Sequence, residues 1–167
     1  MSTVISEPLN LKPPVYKQAL AGLIVGAMLG PLVGWFIGTF AILFTSVQMT
    51  NSARGMRTSA FVGSLIGIPF GFITGVLVAT PSRIVSSTFF HERPHPRLAA
   101  TLGCFLGFGS GYLIHQFWNP SEVSFIYLAI HSVVVGGVTA AVAALAKPKW
   151  LDPDQTNPPL RTHNPDL

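Results

Sequence analysis

Charge is scarce in this chain. Only 10% of its residues are Asp, Glu, Lys or Arg, while 49% are hydrophobic. Soluble domains carry about 25% charged residues, because a globule in water needs that many solvated side chains to cover it. A length of 167 residues would suit one soluble domain, but this composition does not. Cysteine is nearly absent as well: Cys104 stands alone, which excludes an internal disulfide and a cysteine-based metal cluster.

The absences are also local. No charge occurs in the 36 residues between Lys17 and Arg54, the 25 between Arg57 and Arg83, the 24 between Arg97 and Glu122, or the 24 between Glu122 and Lys147. Ion-coupled pumps normally carry carboxylates or basic groups inside the bilayer, and these stretches offer none. The charges that exist are scattered between apolar runs, without a basic stripe interleaved with aromatics, so nucleic acid is not the expected partner. Anionic lipid headgroups are the better counter-charge for a net +4.

What is present is hydrophobic length. Each uncharged stretch exceeds the roughly 20 residues that a helix needs to cross the hydrocarbon core. The expected fold is therefore all-α and integral to a membrane, with four spans at about 19–47, 59–80, 98–117 and 124–146. A tail over 1–18 precedes them. A tail over 147–167, with five prolines in 21 residues, follows and is expected to be disordered. Tyr16, Trp118, Tyr127 and Trp150 sit near span ends, where aromatic residues suit the headgroup boundary. The first span is expected to remain as an anchor, since its apolar core is too long for a cleaved signal and its leader contains Glu7 and prolines.

Short connections imply antiparallel neighbours. Alternate sides then carry unequal basic charge: Lys12, Lys17, Arg83, Arg93, Arg97, Lys147, Lys149 and Arg161 on one, Arg54 and Arg57 on the other. The positive-inside bias places both termini on the cytoplasmic or equivalent side, in a bacterial inner membrane or an organellar membrane such as the thylakoid.

Small residues recur at every fourth position. The first span carries Gly22, Gly26, Gly30, Gly34 and Gly38, and the second Ser59, Gly63, Gly67, Gly71, Gly75 and Ala79. The third follows with Ala99, Gly103, Gly107 and Gly111, and the fourth with Ser132, Gly136, Ala140 and Ala144. Glycine costs about 1 kcal/mol relative to alanine inside a helix, so such stripes need an offsetting gain. Close van der Waals contact between bare backbones supplies one, because lipid gives apolar helices no hydrophobic reason to associate. The expected packing is a glycine zipper of small-xxx-small type with right-handed crossings, built on an internal helix-turn repeat. Pro31 and Pro69 lie mid-span and should bend their helices.

The four spans and the tandem steps Gly63, Gly67, Gly71 and Gly75 resemble the mitochondrial inner-membrane protein translocases of the Tim family. The likeness covers the hydrophobic region, without that family's charged signature residues. It implies a channel or translocation component.

Few residues offer chemistry. His131 is the deepest ionisable group, and an intramembrane histidine can ligate haem, a pigment or a metal, or else bond to a neighbouring helix. Ser110 is expected at matching depth across the third hairpin, so a Ser110–His131 polar contact is the reading preferred over a ligand, with no cofactor and no metal. Gly109, Ser110 and Gly111 with His131 also resemble the Ser–His dyad of rhomboid intramembrane proteases, although Phe108 stands where glycine is expected and four spans are fewer than that fold's six. The segment 82–97 reads as a basic loop, with Ile84, Val85, Phe89 and Phe90 able to lie in the headgroup layer. His91 and His95 are separated by Pro94, which breaks a helix that would align them on a metal.

The functional expectation is a non-enzymatic multi-pass protein, a subunit or assembly factor of a larger membrane complex. Its expected partners are the lipid bilayer and other membrane subunits or further copies of itself. A translocation component and a pigment- or haem-binding subunit through His131 are the alternatives.

Overall fold

A computed structural model describes residues 14–47, 53–89, 95–118 and 124–151. It contains four α-helices, α1 (Val15–Val47), α2 (Ala53–Phe89), α3 (Pro96–Trp118) and α4 (Phe125–Leu145), followed by a short 3-10 turn at Lys149–Leu151. All four are long and apolar enough to cross a membrane. The protein is thus all-helical with four candidate membrane spans.

Helix ends follow local chemistry. α3 opens on Pro96, at a position where the missing amide hydrogen is not needed. α4 stops where Ala146 turns extended ahead of Pro148. Pro31, Pro69 and Pro81 lie within α1 and α2, and neither helix is interrupted by them. α2 differs from its expected span of 59–80, continuing through Pro81 to Phe89 and beginning at Ala53. Residues 82–89 are therefore helix rather than loop, and Arg54, Arg57 and Arg83 fall within the candidate span 53–88. Residues 1–13 and 152–167, the greater part of both expected tails, and residues 90–94 with His91 lie outside the described residues; of the tails, residues 15–18 belong to α1 and Lys149–Leu151 form the 3-10 turn.

α1 lies along α2 and α3 along α4, giving two hairpins, with α4 also touching α2 and α1. α4 is the central element: 61% of its most apolar stretch is buried, against 28% in each of α1 and α3. The outer faces of those two helices expose Phe36, Phe40 and Phe44 on α1 and Phe105 and Phe117 on α3. Such a pattern inverts the logic of a soluble core, as expected where lipid is the solvent.

Candidate functional site

The seam between α1 and α2 brings main chain against main chain. A methyl group added to Gly26 would meet the backbone of Gly75, one on Gly30 that of Gly71, one on Gly34 that of Gly67 and one on Gly38 that of Gly63. The reverse holds from the α2 side: a Cβ on Gly63 would lie 2.7 Å from the Cα of Thr39, and one on Gly71 2.9 Å from the Cα of Gly34. At the far end a Cβ on Gly22 would stand 2.7 Å from the Cα of Thr80. Four residues down one helix answer four up the other, as antiparallel helices of equal pitch require.

One step further the glycines end and the register continues in polar residues. Gln18 on α1 faces Arg83 on α2, and the Arg83 Nε–H donates to Gln18 Oε1 at 2.8 Å. An Nη1–H of the same guanidinium donates to the carbonyl of Ala143. Both side chains are buried, Gln18 at 7% and Arg83 at 6% exposure. Ala143 belongs to the last turn of α4, whose carbonyls have no onward amides once the chain leaves the helix. Arg83 therefore caps α4, and the negative end of that helix dipole, with the Gln18 amide oxygen, offsets the burial of a cation. A single side chain joins both hairpins.

The α3–α4 seam is built differently. A Cβ on Gly103 would meet the Ala140 methyl and the Gly136 carbonyl, one on Gly107 the Ser132 carbonyl, and one on Gly111 the Ser132 Oγ at 2.7 Å. Gly136 in turn abuts Gly103 and Gly107, and a Cβ on Gly137 would stand 2.8 Å from Cys104 Sγ. Gly109, between the stripe positions, faces open space.

Ser110 and His131 are both buried, but the hydrogen bond expected between them is not made. Ser110 Oγ–H donates back to the carbonyl of Gly107 at 2.8 Å, within its own helix. Both ring nitrogens of His131 lack a hydrogen-bond partner, as does the buried Tyr127 hydroxyl. The reason is angular. Ser132 points into the α3 seam, so its predecessor His131, about 100° round the helix, turns towards α2. There its ring centroid lies 6.4 Å from that of Phe70 and 5.9 Å from that of Tyr127. A serine in an apolar setting always has its own helix carbonyls within reach, and that local bond wins here. A dyad of Ser110 with His131 is accordingly not assembled. The imidazole is 1% exposed and presents no open face to a flat macrocycle. Among the described residues no group of three or more His, Cys, Asp or Glu is placed to hold a metal ion.

The Gln18–Arg83–Ala143 junction was not anticipated from the residues. The signal for it is the stripe itself, since Gln18 and Arg83 each lie one step of four beyond the last small residue of their helix. No protein-family model matches the chain, and no curated protein or solved structure matches it.

Proposed function

We propose that this chain is a non-enzymatic multi-pass membrane protein that serves as a subunit or assembly factor of a larger membrane complex. Its hairpins are glycine zippers in which a helix-turn unit repeats. The observation that supports this reading is the closure of both seams, where α1 meets α2 and α3 meets α4 with no space for an added methyl group at the stripe glycines. Contact that close between backbones makes a stiff scaffold and leaves no pathway along either seam.

The stripes themselves are used up inside the chain, so partner subunits would dock on the outer apolar faces of α1 and α3 rather than on glycine. The termini lie on the cytoplasmic or equivalent side. Lys17, Arg83, Arg97, Lys147 and Lys149 belong to the end of the bundle where α1 begins, and Arg54 and Arg57 to the other. Blue-native electrophoresis of the native protein in mild detergent tests the reading. An assembly several times heavier than the 17.9 kDa chain is expected. A lone monomer under conditions that keep other membrane complexes intact overturns it.

A further inference from the structure

Buried polar atoms without a hydrogen-bond partner gather on the two helices that meet between the hairpins. Among the described residues they are Thr80 Oγ1, Ser82 Oγ, the Tyr127 hydroxyl and both ring nitrogens of His131, all on α2 and α4. The two hydroxyls on α2 can turn to carbonyls of their own helix, four residues back. The rigid rings of Tyr127 and His131 cannot reach theirs. His131 meets Phe70 on the α2 side and Tyr127 one turn back on α4, and the Phe70 ring offers it neither nitrogen nor oxygen. Polar groups enclosed in this way are destabilising until water or another partner reaches them.

The ties between the hairpins lie at the other end of α4. Arg83 holds the carbonyl of Ala143 there. The chain itself also passes from one hairpin to the other at that end, between Phe89, where α2 stops, and Pro96, where α3 starts. Tyr127 and His131 belong to the first two turns of α4, towards the end where α1 gives way to α2. At that end the chain connects only the two helices within each hairpin. Each hairpin is held as one body by its glycine seam, where an added methyl group has no space.

We propose that the two hairpins part at the untied end, pivoting on the Arg83–Ala143 link, and so admit water to His131 and Tyr127. His131 lies about 18 Å along α4 from Ala143, so room for a water molecule about 3 Å across needs a tilt of about 10°. The imidazole is only about 9 Å from the start of α4, a short way for water to come from the headgroup layer. The cleft opens on the side of Arg54 and Arg57 and stays shut at the end where α1 begins. The motion is complete within one copy and does not depend on the chain being a subunit.

Double electron–electron resonance between paired spin labels tests it, in the full Cys104→Ala chain reconstituted in lipid bilayers. Labels are carried by Phe44→Cys with Phe117→Cys at the opening end, or by Tyr16→Cys with Leu98→Cys at the tied end. All four positions are exposed, and each pair has one label in each hairpin. The first pair should show a second distance longer by about 5 Å, the displacement that such a tilt gives so far from the pivot. The second pair should show one distance. Tyr127→Phe with His131→Leu removes the groups that gain from water, so the population at the longer distance should fall at least about five-fold. One distance at the opening end, equal spread at both ends, or an undiminished longer distance in the double variant overturns the pivot.

Discussion

Along α1 and α2 every atom that faces a stripe glycine is main chain, whereas along α3 and α4 main-chain contacts are mixed with contacts to side chains. In the first hairpin an added methyl group strikes a carbonyl or a Cα of the opposite helix, which cannot yield without moving the whole backbone. In the second, Gly111 and Gly137 face Ser132 Oγ and Cys104 Sγ, side-chain ends that can shift, while Gly103, Gly107 and Gly136 still face carbonyls of the opposite helix. The hairpins also differ in what else supports them. α4 is enclosed by the other helices, while α1 buries little of itself and depends mainly on its seam with α2. Close backbone contact is thus most strictly demanded where no other burial is available to replace it.

The largest effect that would sharpen this comparison is expected from alanine at Gly30 or Gly71. Overpacking against a rigid backbone should cost about 3 kcal/mol, lowered by about 1 kcal/mol through the better helix propensity of alanine. The unfolding midpoint in a denaturing-detergent titration should fall clearly for both. If Gly30→Ala unfolds at the wild-type midpoint, the first seam is looser than described.

Removal of the guanidinium comes next. Arg83→Met would leave the Gln18 amide oxygen and the Ala143 carbonyl without their donor in a buried setting, a loss of about 1–3 kcal/mol. Arg83→Lys should fall between Met and wild type, since an ammonium still donates but lacks the rigid planar fork that holds the Gln18 and Ala143 acceptors together. Equal midpoints for the two variants would show that the link between hairpins does not need that fork.

The smallest effects discriminate most finely. A Cβ on Gly111 would meet the Ser132 hydroxyl, which can rotate away, and Ser132 Cβ at 2.9 Å, which cannot, so Gly111→Ala should cost about 1 kcal/mol, less than alanine at Gly30. Gly109→Ala faces nothing within 4 Å and should raise the midpoint, by up to about 1 kcal/mol of helix propensity. Opposite signs at positions two residues apart on one helix, read in the same titration, would separate the seam from the open face. The same sign at both would erase that distinction.

Much of the architecture was legible in the residues. The long uncharged stretches mark four helices long and apolar enough to cross a membrane, and the step of four places the small residues of each helix on one face. The extent of α2 was not legible. Arg57 and Arg83 look like boundaries, yet a helix end is set by where backbone bonds stop, and nothing at either arginine stops them. The Ser110–His131 contact failed for a related reason: equal depth in a hairpin does not fix rotation about the helix axis, and Ser132 occupies the seam in place of His131.

By itself the sequence determined that four segments are long and apolar enough to cross a membrane and which face of each carries the small residues, because hydrophobic length and a four-residue period are properties of a single segment. Only the tertiary structure decided that α4 is central, that His131 turns to Phe70 and that Arg83 is buried against the end of α4. Those outcomes depend on which segments meet and how each is rotated, and the partner of a buried polar group is chosen there, from residues far apart along the chain.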